Sequence, residues 1–410
     1  MTRISVLLTT TTLLATTTIA QSNREPPSTG LHSLFLSAGK LYFGTATETN
    51  NFADPTYQNI LSNPLEFGQL TPENSQKWGL IQPQPGDFSF NASDQVASLA
   101  NSYNYLLRCH TLTWHSQLPP FVSSTSWTPD TLRQLITTHV TSVISHFGSA
   151  CYAWDVVNEA LNENGTFRNS VFFEVLGEEY IAHSFEVARE VAPPETKLYY
   201  NDFNLETAPE KQTAAVELVK SLQSKGVKID GVGLQAHFTV GQTPSVESLI
   251  ATLQRFADLG VDVAWTELDV AQEDVETASE LAVEQQASDY VVAVRACLEV
   301  ERCVGVTVWQ FTDRYSWVPG TFPGKGDACL WTEDYQRKPA YWAVKGFLEG
   351  WVARMNVTRA FVGGNETTAR TVASPRGPLT EVTSGSERLE GSLVKVAFIS
   401  FGVWLVLNMM

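Results

Sequence analysis

Segments with the length and apolar content of buried β-strands alternate with segments of helical periodicity along most of the chain. The candidate strands are residues 41–48, 66–72, 106–114, 152–159, 197–202, 231–238, 262–270 and 304–313. The clearest helical patterns are residues 129–147, 171–191, 208–224, 246–259 and 280–300. Thr128 before Pro129 is a typical helix cap. The alternation predicts an α/β fold, a (β/α)8 TIM barrel that forms a single domain over residues 31–352. A doubly wound sheet is disfavoured because no glycine-rich phosphate turn follows the first strand.

Polar and aromatic side chains are concentrated where the candidate strands end, and this end of a barrel is the one that carries function. These residues are His110, Trp114, Asn158, Glu159, Asn201, Asp202, Gln235, His237, Glu267, Asp269, Trp309 and Asp313. The alternation of side chains along a strand predicts that Trp309 and Asp313 share one face of the last strand. A set of polar groups above an apolar barrel indicates a binding or catalytic site.

Two carboxylates in this set follow buried apolar runs. Glu159 ends the run that starts at Trp154, and Glu267 lies within Trp265–Asp269. A carboxylate is costly in such a position unless it has partners or a chemical task. Paired acids are the usual apparatus for cleaving a glycosidic bond. The alternative is that both glutamates cap their strands at the surface.

Composition and charge limit the partners of the chain. It has 410 residues, a hydrophobic share of 43% and a formal net charge of −17, with no cluster of Lys and Arg that could track a phosphate backbone. Nucleic acid is therefore not an expected partner. The histidines do not form an H-E-x-x-H pattern, and no C-x-x-C pair occurs. We therefore expect neither a cofactor nor a metal.

Both ends of the chain resemble targeting segments. Residues 1–20 are typical of a secretory signal peptide. A polar stalk is predicted over residues 353–386, followed by a GPI-attachment signal over residues 387–410 with Ser384 as the candidate anchor site. The alternative for the 18 residues 393–410, which are apolar except for Lys395, Ser400 and Asn408, is a single membrane-spanning helix, which needs about 17–25 residues. These features predict a secreted protein held at the outer membrane leaflet.

A secretory route would permit glycans and disulfides. The candidate N-glycosylation sites are Asn91, Asn164, Asn356 and Asn365. Cys297 and Cys303 are the most plausible disulfide pair because they are close in sequence. Cys109 and Cys151 could also pair. The odd number of cysteines leaves at least one thiol free.

Seven motifs appear in the order found in glycoside hydrolase family 10, and the chain resembles the fungal endo-1,4-β-xylanases of that family over residues 31–351. The motifs are PENSQKW at 72–78, HTLTWHSQLP at 110–119, WDVVNEA at 154–160, YND at 200–202, QAH at 235–237, TELD at 266–269 and DRYSW at 313–317. The resemblance implies that Glu159 is the acid/base and Glu267 the nucleophile of a retaining hydrolase acting on xylan. A close negative charge on Glu267 would favour the protonated form of Glu159.

The resemblance also assigns residues that hold the substrate. His237 would contact Glu267, with Asp269 orienting the imidazole. The expected sugar-binding residues are Glu73, Asn74, Lys77, His110, Trp114, Asn158, Gln235, His237, Trp309 and Trp317. Glu73 and Asn74 would bind the second sugar on the non-reducing side of the cleaved bond. We expect a monomer.

Four positions depart from the family pattern. These are Gln76, Cys109, Phe203 and Gln310, where Met, Gly, Tyr and Gly respectively are common. None of them is a proposed catalytic carboxylate. Two other functions stay open from the sequence: a cellulase-like β-1,4-glycanase of the same barrel type, and a carbohydrate-binding protein without activity.

Overall fold

The computed structural model describes residues 29–362, and within them parallel strands form a closed barrel. The strands are β1 (Tyr42–Thr47), β2 (Gln69–Pro72), β3 (Leu106–Trp114), β4 (Cys151–Asn158), β5 (Lys197–Asp202), β6 (Gly231–Leu234), β7 (His237–Thr239), β8 (Asp262–Ala271) and β9 (Cys303–Val308). Strands β1 to β6, β8 and β9 make the barrel wall, which closes where β6 pairs with β8. The predicted (β/α)8 barrel is confirmed.

Helices surround the barrel and cover its apolar outer face. They are α1 (Leu31–Ser37), α2 (Pro55–Leu61), α3 (Trp78–Ile81), α4 (Asn91–Ser102), α5 (Pro120–Ser123), α6 (Pro129–Phe147), α7 (Val171–Leu176), α8 (Glu179–Val191), α9 (Pro209–Ser224), α10 (Val246–Ala257), α11 (Glu280–Glu299), α12 (Val318–Thr321) and α13 (Pro339–Val362). Helix α6 has the predicted bounds, and the Thr128 hydroxyl accepts from the backbone N–H of Thr131, as a cap should. Strand β5 also has the predicted bounds.

Two predicted elements are interrupted at residues with a left-handed backbone. The candidate strand 231–238 is two strands, β6 and β7, because Ala236 has a φ of 60°. The candidate helix 171–191 is likewise two helices, with Gly177 at a φ of 60° between them. A residue in this region of backbone space continues neither a strand nor a helix.

The last predicted strand, 304–313, is too long. Strand β9 ends before Trp309, and Gln310 has a φ of 74°. The prediction that Trp309 and Asp313 share a strand face is therefore wrong. Asp313 instead accepts a hydrogen bond from the Lys338 ammonium at 3.0 Å.

The barrel is held together by covalent as well as packing interactions. The predicted disulfide between Cys297 and Cys303 is present, and a second one joins Cys109 of β3 to Cys151 of β4. Cys329 is buried as a free thiol. The second disulfide was left open by the sequence, since pairing across 42 residues depends on which strands are neighbours.

Helix α13 continues to Val362, beyond residue 352 where the sequence predicts the barrel domain to end. The predicted signal peptide, Ser384, Asn365 and the tail 387–410 lie outside the described residues. Between residues 29 and 362, no helix is both long enough and apolar enough to cross a membrane.

Candidate active site

A cleft of about 610 Å³ opens at the C-terminal ends of the barrel strands. Most of the predicted site residues line it: Lys77, His110, Trp114, Asn158, Glu159, Gln235, His237, Glu267, Asp269, Trp309 and Trp317. Glu73 and Asn74 lie beside the cleft, where the Lys77 ammonium donates to Asn74 Oδ1 at 2.9 Å. The structure therefore brings together side chains that are up to 240 residues apart in sequence (from Lys77 to Trp317).

Strand pairing places these side chains next to one another. Trp114 at the end of β3 is paired with Asn158 on β4, which is paired with Asn201 on β5. His237 on β7 is likewise paired with Asp269 on β8. Parallel strands that end at one edge present their last side chains to the same space, which is the general reason for sites at this face.

Glu159 directly follows β4 and has a left-handed backbone, with a φ of 56°. Its Oε2 accepts from the Trp114 indole at 2.8 Å. Its Oε1 accepts from the amides of Gln235 at 2.9 Å and Asn158 at 3.2 Å. Non-glycine residues in this conformation are uncommon and occur often at functional sites. The half-buried carboxylate is thus fixed by donors from three strand ends.

Glu267 is more deeply buried, with a side chain only 6% exposed. Its Oε1 accepts from the Asn201 amide at 2.8 Å, and its Oε2 lies 3.4 Å from His237 Nε2. Burial by itself would raise the pKa of Glu267, but the hydrogen bond from His237 and the charge of nearby histidines hold that pKa below its usual range. Glu267 is therefore ionised at neutral pH.

His237 is held in turn by a second carboxylate. Its Nδ1 lies 3.0 Å from Asp269 Oδ1, and the Trp317 indole donates to Asp269 Oδ2 at 2.8 Å. Burial lowers the pKa of His237, but the two carboxylates outweigh it and raise that pKa to about 10. The imidazolium therefore remains positive beside Glu267 through the neutral range.

The sequence identified Asn201 as a strand end but did not predict that it links the groups around Glu159 to those around Glu267. Its single amide nitrogen donates to Asn158 Oδ1 and to Glu267 Oε1, both at 2.8 Å. The Thr266 hydroxyl donates to Asn201 Oδ1 at 2.7 Å, so the orientation of the side-chain amide is fixed. Gly233 leaves room for this side chain, since a Cβ there would lie 2.2 Å from Asn201 Oδ1.

A charged pair inside the barrel orients His110. Its Nδ1 lies 2.9 Å from Asp155 Oδ2, and the Arg108 guanidinium donates to the other oxygen of Asp155. Burial opposes ionisation, but Arg108 and His110 keep the pKa of Asp155 below its usual range. Since an ionised carboxylate only accepts, Nδ1 of His110 carries the proton and Nε2 is the other ring nitrogen available for a ligand.

Comparison with known proteins identifies the family. The model of "Glycosyl hydrolase family 10" matches residues 30–347. The chain belongs to this family. It is 51% identical over 355 residues to "Endo-1,4-beta-xylanase 5" of Pyricularia oryzae, covering 85% of this chain and 87% of that protein. It is 49% identical to "Endo-1,4-beta-xylanase" of Agaricus bisporus, and the match covers 78% of this chain and 94% of that protein.

Solved structures agree with this assignment. The Penicillium canescens endo-1,4-beta-xylanase XylE superposes with a TM-score of 0.76 at 42% identity, over 78% of this chain and 98% of that one. A GH10 xylanase from Bispora sp. MEY-1, crystallised with xylobiose, superposes with a TM-score of 0.75 at 39% identity. The superposition covers 78% of this chain and 99% of that one. The fold of this family 10 hydrolase is thus that of its solved relatives.

Aromatic side chains form the walls of the cleft in this family 10 hydrolase. The Trp309 ring lies edge-on to His110 with 5.5 Å between centroids, and Trp317 lies 4.9 Å from His237. Phe203, one of the departures from the family pattern, lines the cleft with the Lys211 ammonium 3.6 Å from its ring centroid. Indole faces suit the apolar C–H faces of pyranose rings.

Several further residues line the cleft that were not singled out as site residues from the sequence. They are Ser116, Gln117, Asn204, Phe238, Thr239, Ala271, Val318, Thr321, Phe322 and Lys325. Ser116 and Gln117 fall inside a quoted motif, at 110–119. Phe238 and Thr239 lie in β7, Ala271 ends β8, and Val318 and Thr321 lie in α12. The others lie in loops, where no periodicity marks a residue as facing the cleft.

Proposed function

We propose that Glu159 and Glu267 are the acid/base and the nucleophile with which this endo-1,4-β-xylanase cleaves internal bonds of xylan. The activity follows from the family and from relatives of that name at about half identity. The observation that carries the residue roles is the contrast between the two environments. Glu267 is buried against a cation, whereas Glu159 is half-buried at the rim of the same cleft.

In the first step Glu267 attacks the anomeric carbon while Glu159 gives its proton to the leaving oxygen. The bond between the two sugars breaks, and a glycosyl ester forms on Glu267. In the second step Glu159 removes a proton from water, and the resulting hydroxide attacks the anomeric carbon. The ester bond to Glu267 breaks. Because each of the two steps inverts the anomeric carbon, the sugar leaves with its original configuration.

The remaining lining residues hold the chain for these steps. We assign Lys77, His110 and Asn158 to the sugar at the cleavage point, with Asn158 on the 2-hydroxyl. Trp114, Trp309 and Trp317 provide faces for pyranose rings, and the latter two would crowd the hydroxymethyl of a hexose. Gln235 orients Glu159 by the hydrogen bond described above. Glu73 and Asn74 bind the next sugar on the non-reducing side.

Sugar release from xylan compared with carboxymethylcellulose tests the activity and its substrate. We expect xylo-oligosaccharides from xylan and little reducing sugar from the cellulose derivative. Equal release from both would favour the cellulase-like alternative, and no release from either would favour a binding protein.

Replacing His237 by asparagine should shift the acid limb of the pH profile. The imidazolium keeps the pKa of Glu267 low, so its removal should move the acid limb of kcat/KM to higher pH, by about one unit. The measurement is kcat/KM for an aryl β-xylobioside between pH 3 and 8. His146, which pairs with Asp94 at the surface, offers a matched control: H146N should leave the limb in place. An unmoved limb in H237N would contradict the role of the histidine charge.

We infer that the enzyme is exported as a monomer and anchored at Ser384 in the outer leaflet. The signal-like residues 1–20 support export, and three candidate glycosylation sites, Asn91, Asn164 and Asn356, are exposed. Phosphatidylinositol-specific phospholipase C should release xylanase activity from intact cells. Activity that stays with the cells until detergent is added would favour the membrane-spanning alternative.

A further inference from the structure

Gln310 occupies a position where family members commonly have glycine, and the structure gives its side chain a defined task. It lies in the loop after β9, is 1% exposed and has a φ of 74°. Its Nε2 donates to Glu73 Oε2 at 3.0 Å, and its Oε1 accepts from the Tyr57 hydroxyl, also at 3.0 Å. A non-glycine residue in this backbone region is uncommon, and here its side chain makes two hydrogen bonds that glycine could not make.

The direction of the Gln310 amide follows from its two partners. An ionised carboxylate only accepts, so the amide nitrogen must face Glu73 and the amide oxygen must face Tyr57. The Tyr57 hydroxyl therefore donates its proton to Gln310. The Thr47 hydroxyl, 2.8 Å from the Tyr57 oxygen, then donates to Tyr57. Tyr57 is itself fully buried and stacks on Phe311 with 4.7 Å between ring centroids. A rigid row of donors therefore ends on one oxygen of Glu73.

Other contacts fix the backbone around Glu73. Glu48 Oε2 accepts from the backbone N–H groups of Asn74 at 2.9 Å and Ser75 at 2.8 Å. Burial raises the pKa of Glu73 and Glu48 adds to it, while Gln310 and Lys77 oppose this increase. The titratable and charged groups near the Glu73 carboxylate are thus Lys77, Glu48 and Tyr57. The neutral groups that hydrogen-bond this carboxylate are the side chains of Asn74 and Gln310, and Gln310 is the one that ties Oε2 to the buried row formed with Tyr57.

We propose that Gln310 is a positioning residue for the second sugar on the non-reducing side. By binding Glu73 Oε2 it holds the carboxylate in one rotation, with acceptor capacity left for a sugar hydroxyl. This inference rests on the proposed role of Glu73 in binding that sugar. A fixed acceptor binds better than a mobile one because less rotamer entropy is lost when the substrate arrives.

Two aryl substrates isolate the second sugar. 4-Nitrophenyl β-xylobioside and 4-nitrophenyl β-xyloside have the same leaving group and differ only in that sugar. Q310G removes the side chain without backbone strain, since glycine accepts a φ of 74°. We expect kcat/KM for the xylobioside to fall about tenfold, mainly through KM, and kcat/KM for the xyloside to stay unchanged. An equal loss on both substrates, or no loss on either, would overturn the proposal.

The Q310E variant adds a readout that loss of packing cannot mimic. It keeps the shape of the side chain but places an acceptor against Glu73, so the two carboxylates must share a proton. Xylobioside turnover should approach the wild-type value at low pH and fall as the pH rises, relative to the xyloside. A ratio of the two substrates that does not change with pH would count against a role through Glu73.

A double-mutant cycle separates this inference from the proposed function. If Gln310 acts through Glu73, Q310G should cost nothing further in an E73A background. A wild-type enzyme without xylanase activity would reject the proposed function. An active wild type in which E73A has no effect on the xylobioside would reject the role of Glu73. A full additional loss from Q310G in E73A would reject the positioning role alone.

Discussion

Alanine at position 267 should reduce xylan turnover roughly 10⁵-fold, because the first bond to the sugar can no longer form. The substitution also leaves His237 and Asn201 without their acceptor, but both keep other partners, Asp269 and Asn158. The barrel should therefore fold, which circular dichroism and thermal unfolding would check. Turnover is measured on xylan and on an aryl β-xylobioside.

Azide provides the decisive addition to E267A. The missing carboxylate leaves space on the face opposite the leaving group, and azide can attack from there while Glu159 is intact. The product should be a glycosyl azide of inverted configuration, identified by NMR. As a control, E217A removes a surface glutamate that pairs with Lys220 and should change nothing. If E267A keeps substantial activity, or azide neither restores turnover nor forms this product, Glu267 is not the nucleophile.

Alanine at position 159 should have a substrate-dependent effect. Natural xylan needs a proton on its leaving oxygen, so its turnover should fall about 10²–10⁴-fold. An activated aryl xylobioside leaves without a proton, so its first step should be nearly unimpaired and the glycosyl-enzyme should accumulate. The measurement is a pre-steady-state burst of phenol followed by slow turnover. Equal losses on both substrates would contradict the acid role.

The azide product distinguishes the two glutamates. In E159A, azide attacks the ester on Glu267 from the side that water normally uses, so the glycosyl azide should have retained configuration. In E267A the same reagent should give the inverted product. Opposite stereochemistry from two variants of one cleft would place the carboxylates on opposite faces of one sugar. The same stereochemistry in both would contradict the assignment.

The part of the site that was predictable is the part attached to strand ends. Glu159 and Glu267 are recognisable because each interrupts or ends an apolar run, and strand periodicity alone puts such residues at one end of a barrel. Lys77 and Trp317 were identified by motif resemblance rather than by physical pattern. Their side chains nevertheless line the same cleft.

The parts that were missed depend on contacts between distant segments. Asn201 was visible as a strand end, but its bridging position requires knowing that β5 lies between β4 and β6, where Gly233 leaves room for the side chain. Gln310 was visible as a departure from a family, yet its partner Glu73 is 237 residues away. The break at Ala236 was hidden because alanine carries no turn signal, and its left-handed backbone is imposed by its surroundings.

The sequence by itself determined the barrel, the end of it that carries the site, and the two carboxylates, since each follows from local periodicity and from the cost of placing charge beside apolar strands. The neutral groups that hold those carboxylates, the contact between the cysteines of β3 and β4, and the loop residues that complete the cleft become visible only in the folded barrel. The difference lies in sequence separation, since a periodic pattern is read over a few neighbouring residues. A hydrogen bond such as that of Gln310 to Glu73 forms only after the barrel has closed β9 onto β1.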